Sequence, residues 1–374
     1  MVDRSVAWVS QVERGVRKVD RMSVLEALAA ALGVPLAELA AEAPVVASVI
    51  EEPPGASGLR LVLSGAYALR TMLDGRRAPA ISTLRAKARK AWELTHAGRY
   101  TELTDLLRGL IPDLEIASRA VPEGQRAEVS ELLATTYQAC SAALAKLGEP
   151  EAAWIASDRA MAAAERAGNP MLVAAGAFRL VFVFINARHY DQAAETARTT
   201  AEALWPVADQ GDPRAMSLWG ALTLQRAVIA AHLNDPDTAY GQLERTSQIA
   251  ARLGEGHDEY DTEFGPANVR LYEIAVAVEL GDAGRALRAA AAVDSSGLSA
   301  ERQARMLIDV ARAHAQRRQV GEAVAALVQA EAITPEQVRG HALVRQLVSD
   351  LLTMQDPPAS ELRDLAKHLT AKRD

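Results

Sequence analysis

The chain has 374 residues, a formal charge of −7 and an isoelectric point of about 5.6. That length exceeds what a single hydrophobic core usually fills, so more than one packing unit is expected. The acidic balance excludes a protein that coats nucleic acid over its whole surface, and leaves room only for a local basic patch. Apolar residues make up 49% of the chain but aromatics only 4%. Alanine and leucine favour helix, whereas a sheet protein of this size needs more β-branched and aromatic residues. The single cysteine, Cys140, sits in an apolar helical stretch and is read as buried filler, which suits a reducing compartment. No 18-residue apolar run and no apolar leader core occur, so the expected location is cytoplasmic, with no membrane partner.

Residues 1–40 predict two or three short helices. The first, over Asp3–Gly15, places Val6, Val9 and Val12 at threefold spacing with Gly15 as a stop. In the second, Ser23 and Glu26 form a capping box ahead of Leu25, Leu28 and Leu32, and Gly33 ends it. Pro35 opens a further turn. Residues 41–58 hold three prolines, two glycines and an acidic pair, which is linker chemistry and marks the domain boundary.

From residue 59 to 374 helix follows helix, and one signature recurs. A small or polar turn is followed two residues on by an aromatic, Pro or small residue, and three further on by Ala or Leu. The instances are Gly98-Tyr100-Leu103, Gly148-Pro150-Ala153, Arg188-Tyr190-Ala193, Asn234-Pro236-Ala239, Gly281-Ala283-Ala286 and Arg318-Val320-Ala323. Their first residues are 50, 40, 46, 47 and 37 positions apart, by subtraction of those numbers. A tight turn joins two antiparallel helices, and a small residue in the first turn of the second lets them approach closely. Pairs that cannot bury their apolar faces alone stack into a superhelix with a concave face. The pattern resembles the tetratricopeptide repeat (TPR) over roughly residues 85–350, with Tyr100 and Tyr190 the best matches, although its spacing exceeds the usual repeat of about 34 residues. The expected fold is all-α: a partial helix-turn-helix followed by a TPR-like α-solenoid of antiparallel helix pairs.

The string from Ser5 to Arg21, with Ser10, Glu13 and Gly15 followed by Ala31-Leu32-Gly33-Val34, resembles the Cro/C1-type (XRE) helix-turn-helix family. The resemblance implies a recognition helix in the major groove. It places Ser5 at a phosphate, and Val6, Ala7 and Gln11 toward bases. Gln11 suits a bidentate contact to adenine, and the two apolar side chains suit a thymine methyl. Arg14, Arg17, Lys18 and Arg21 fall near or in the loop that meets the backbone. Residues 4–21 carry five basic and two acidic side chains, a net +3 patch on an acidic chain. The family's domain begins with two helices before the recognition helix. This chain starts at the third, so the expectation is an N-terminally truncated helix-turn-helix. The segments Phe264–Asp282 and Glu301–Leu352 also resemble the C-terminal region of regulators that join such a domain to a TPR sensor.

Two readings of function stay open. One is a homodimeric DNA-binding transcriptional regulator whose array supplies dimer contacts and senses a peptide or small ligand. The other is a TPR scaffold or peptide-binding protein that has lost DNA binding through the truncation. No catalytic constellation, phosphate loop or cofactor motif supports an enzyme. The seven histidines are scattered singly without metal-ligand spacing. The acidic run from His257 to Glu263 lacks the ligand spacing of a calcium loop and is expected to be a solvated connection. Arg85, Lys87, Arg89 and Lys90 are expected on a solvated helix face, and Trp92, Trp154 and Trp219 in the core or groove wall. In the array, Asn268 and Tyr272, one turn apart, are the candidate groove residues, because an amide can donate to and accept from an extended ligand backbone.

Overall fold

The computed structural model describes residues 6–13, 19, 28, 31–32, 55–64, 79–354 and 358–370. Among them there is no strand. The helices are α1 (Val6–Glu13), α2 (Ala56–Val62), α3 (Ile81–His96), α4 (Tyr100–Ala120), α5 (Glu123–Lys146) and α6 (Pro150–Ala167). They continue with α7 (Pro170–Asn186), α8 (Tyr190–Ala208), α9 (Pro213–His232), α10 (Pro236–Leu253), α11 (Pro266–Glu279) and α12 (Ala283–Ala291). The chain closes with α13 (Ala300–Gln316), α14 (Val320–Ile333), α15 (Pro335–Gly340), α16 (Ala342–Met354) and α17 (Ser360–Thr370). From α3 to α14 consecutive helices pack as antiparallel pairs, the solenoid-like all-α arrangement expected from the sequence.

The recurring signature is the pair's hinge. Gly98, Gly148, Arg188, Asn234, Gly281 and Arg318 all have left-handed φ, between 59° and 81°. The amide of the following residue reaches back to a carbonyl five residues earlier at 2.8 to 3.0 Å, as in Glu149 to Leu144 and His189 to Phe184. That is the Schellman closure of a helix C-terminus, and it satisfies carbonyls the helix leaves unpaired. The next helix then starts at the signature's third residue, Tyr100, Pro150, Tyr190, Pro236, Ala283 or Val320. Leu103, Ala153, Ala193, Ala239, Ala286 and Ala323, one turn into that helix, are fully buried against the partner. Helices α7 and α9 start with Pro at the first position behind an acceptor cap: Asn169 accepts from the amide of Leu172, and Asp212 from those of Arg214 and Ala215.

The array curls until its end meets its beginning. Helix α13 packs against α3, the Thr101 amide and hydroxyl both donate to Glu336 at 2.8 and 2.9 Å, and Lys146 pairs with Glu301 at 2.9 Å. The concave side is therefore enclosed rather than open.

Several expectations are corrected. Of the linker expected over 41–58, residues 56–58 lie in helix α2, and residues 41–54 lie outside the described residues. Ala56, Leu59 and Val62 share a buried face on α4, Arg60 pairs with Glu149 at 3.3 Å, and Gly58 leaves the space that Thr104 occupies. Trp92 and Trp219 are buried, but Trp154 is 39% exposed, held edge-on against Phe184 at 5.1 Å. Lys87 is not a free surface charge: it pairs at 3.4 Å with Asp113, which is fully buried in α4. Cys140 is buried, and burial pushes its thiol up to about 12. Among the described residues no helix is long and apolar enough to cross a membrane.

Candidate functional site: the polar interior of the array

The concave side is occupied by the chain's own connection between α10 and α11, residues 254–265. The acidic part of this stretch, expected as a solvated loop, is solvated only in part: Asp258 is exposed, Glu259, Asp261 and Glu263 are half-buried, and Thr262 is fully buried. Phe264 is fully buried in the array's apolar core, beside Gly220 of α9. A Cβ on Gly220 would lie 2.1 Å from the Phe264 ring, so only glycine admits that ring. Tyr260, Asp261 and Glu263 all take left-handed φ, between 49° and 55°. Such conformations cost a non-glycine residue energy and persist only where the surroundings hold them.

Those surroundings are donors aimed at the segment's backbone. Arg179 Nη2 donates to the carbonyls of Tyr260 at 3.0 Å and Asp261 at 2.8 Å. Arg302 donates to the Thr262 carbonyl at 3.2 Å and to the Glu263 carboxylate at 3.3 Å. Glu263 also accepts from the Ser299 amide and hydroxyl, both at 2.9 Å. On the other flank Glu259 accepts from Ser217 at 2.9 Å, and Glu255 accepts from the Ala267 amide at the start of α11. The guanidinium of Arg179 also lies over the Trp92 ring at 4.6 Å.

Burial sets the charges of this network. The His96 imidazole falls to about 4, since burial outweighs the opposing pull of Glu263, so it is neutral at pH 7. Asp261 rises to about 7, through burial that Arg179 only partly offsets, with Asp258 and Glu263 adding to the rise. Glu301 moves the other way, to about 2: burial opposes ionisation, but Lys146 and Arg302 outweigh it. Arg302 is held above the ordinary arginine value, because Tyr272, Glu301 and Glu263 more than offset its burial. The ligand atoms of His96, Asp258 and Asp261 lie within 4.8 Å of one another, a set of metal-binding type. Arg179, bound to the same loop, already supplies positive charge beside those carboxylates.

The structure brings the two candidate groove residues into this interior. Asn268 is buried, and its amide donates to the Thr262 carbonyl at 3.4 Å, while its Oδ1 has no hydrogen-bond partner. Tyr272 accepts from Gln225 Nε2 at 2.8 Å, with the Arg302 guanidinium 6.0 Å from its ring centre. Asn268 thus does hold a peptide backbone, and the backbone is that of its own chain. Gln225, Arg179 and Arg302 were not singled out from the sequence, where a lone Gln or Arg in an apolar helix gives no sign of which way it faces.

The nucleic-acid candidates are placed more sparsely. Ser5, Arg14, Arg17, Lys18, Arg21 and the side chains of Val6 and Ala7 lie outside the described residues, as does the Ser23–Glu26 box. Gln11 is placed against the array: its Nε2 donates to the Gly281 carbonyl at 2.9 Å, at the hinge between α11 and α12. Trp8 in the same helix is buried. No protein-family model matches the chain, and no curated protein matches it.

Proposed function

We propose that the chain is a DNA-binding transcriptional regulator of Cro/C1 type, cytoplasmic and homodimeric, whose helical array governs the N-terminal head in response to a peptide or small ligand. The observation that carries this reading is the seat of α1 on the array, through Gln11 and the Gly281 carbonyl at the α11–α12 hinge. Gln11 is also the side chain that the family resemblance aims at a base, and one amide does not serve both partners at once. Docked on the hinge, the head is held off DNA; released, Gln11 reads a base while Ser5, Arg14, Arg17, Lys18 and Arg21 meet phosphates and Val6 and Ala7 pack on base methyls. A shift of the hinge thereby becomes a change in the free population of the head. Two heads in a dimer read half-sites about 34 Å apart.

The test is a gel-shift titration of the full chain against the DNA upstream of its own coding region. Binding is expected to weaken with salt by roughly 0.9 log units per log unit of salt for each phosphate neutralised. The double variant Arg17→Ala, Lys18→Ala should lower both the affinity and that slope. Absence of binding at low salt, both by the full chain and by Gly281→Ala, whose Cβ would crowd Gln11 off the hinge, overturns the reading and leaves the scaffold alternative.

A further inference from the structure

On the outer side of the first two helix pairs, away from the interior, lies a cleft of about 720 Å³ between α4, α5 and α6. That volume suits a small organic ligand. Arg119 of α4, Arg126 of α5, and Arg159 and Arg166 of α6 line it. Arg159 and Arg166 stand seven residues apart, two helical turns, and therefore on one face of α6. Among the described residues the only carboxylate lining the cleft is Glu115, and it is already engaged, accepting from the Tyr137 hydroxyl at 3.1 Å and pairing with Arg119 at 3.4 Å. Arg126, Arg159 and Arg166 pair with no carboxylate among the described residues. The Arg159 guanidinium instead lies 5.8 Å from the Tyr137 ring centre.

Four guanidiniums around one cleft repel one another, and the chain as a whole has acid to spare, with a net charge of −7. An anion placed among them removes that repulsion and gains charge-assisted, bidentate contacts that arginine makes with phosphate and carboxylate oxygens. The cleft also has an apolar floor in Val62, Ile111 and Pro112. We infer that this cleft binds a small organic phosphate, its anionic head on Arg126, Arg159 and Arg166 and its body on that floor. Val62 belongs to α2, so the ligand bridges the segment that leads from the N-terminal region to the first two helix pairs. The ligand site itself does not depend on DNA reading by the head.

Isothermal titration of the full chain at low ionic strength tests this, with pyrophosphate and adenosine diphosphate as probes. Both are expected to bind, the diphosphate ester more tightly because of its body, and both should weaken at least tenfold in Arg126→Gln and in Arg159→Gln. Arg126 is exposed, so its variant keeps the fold if Arg159→Gln does not. The remote variant Arg188→Gln should bind as the parent does. Hydrogen exchange should show the α2 amides protected when pyrophosphate is bound. Absence of binding, or binding that survives both cleft substitutions, overturns the proposal. So does citrate binding as tightly as the phosphates, or displacement of pyrophosphate from the cleft by duplex DNA. None of these readouts uses the head, so DNA binding can fail without touching them.

Discussion

Arg179, in the middle of α7, holds the main-chain carbonyl of Asp261 at 2.8 Å, across 82 residues of sequence. The same nitrogen takes the Tyr260 carbonyl at 3.0 Å, and burial lowers the guanidinium to about 10, still charged at neutral pH. One cation thus anchors a segment that also depends on left-handed backbone at three non-glycine residues. Arg179→Met keeps the length and apolar bulk of the side chain but abandons two buried carbonyls. The expected loss is about 2–4 kcal/mol in denaturant unfolding, as for hydrogen bonds to a charged group that leave unsatisfied partners behind. Limited proteolysis should cut the variant within residues 254–265 before any helix. A variant as stable and as protease-resistant as the parent would show that Arg179 does not hold the segment.

Phe264 and Gly220 give a second handle on the same segment. The Phe264 ring fills the space that a side chain at 220 would need, and the ring is fully buried. Phe264→Ala removes the plug and should cost about 3–5 kcal/mol, as for other fully buried aromatics. Gly220→Ala should displace the ring instead, at about 1–3 kcal/mol. If the two act through one contact, the double variant should cost clearly less than the sum, measured by urea unfolding. Additive losses would mean the ring and the glycine are energetically independent.

The hinges of the array were legible because their chemistry is local. A left-handed residue, a helix start two positions later and a small residue one turn on are set by neighbours within six positions, whether the first residue is Gly148 or Arg188. The interior was only half legible. Asn268 stood out because a buried amide in a helix needs a partner, but nothing near it in the sequence says that the partner is Thr262 of the preceding connection. The run from His257 to Glu263 reads as solvated by composition. Its later half, from Tyr260 to Glu263, packs against the array because Arg179 and Arg302, remote in sequence, bind its carbonyls. The arginine cleft was missed for the same reason: its four members come from three helices, one each from α4 and α5 and two from α6, and no local run marks them.

Asp261 and His96 should leave opposite marks on the pH dependence of stability. The folded carboxyl titrates near 7 against an ordinary 3.8, so the native state binds the extra proton between those values, and this group's contribution falls as pH rises from about 4 to 7. His96 titrates near 4 when folded against an ordinary 6.5, so the unfolded state binds the extra proton and the contribution rises with pH from about 4 to 6.5. Asp261→Asn removes the first effect. Its stability relative to the parent should therefore increase through that window and level off above pH 7. His96→Gln should show the reverse, losing ground relative to the parent up to about pH 6.5. Urea midpoints at pH 4, 5.5 and 7.5 read both, and a pH-independent difference for Asp261→Asn would contradict the burial of its carboxyl.

The hinge conformation also makes a prediction at positions far from any site. Arg188 has φ of 63° and Gly148 has φ of 77° at equivalent places in successive hinges. An L-residue with a Cβ loses roughly 1 kcal/mol in this region relative to glycine, from contact with the neighbouring carbonyl. Nothing lies within 4 Å of a Cβ built on Gly148, so the backbone alone decides the outcome there. Arg188→Gly should therefore stabilise the chain, by up to about 1 kcal/mol less whatever the added freedom of the unfolded chain takes back. Gly148→Ala should destabilise it by about the same amount. Thermal unfolding of the two variants side by side reads opposite shifts from the parent. Equal or same-sign shifts would mean that the hinges are held by their flanking helices and not by the conformational preference of the hinge residue.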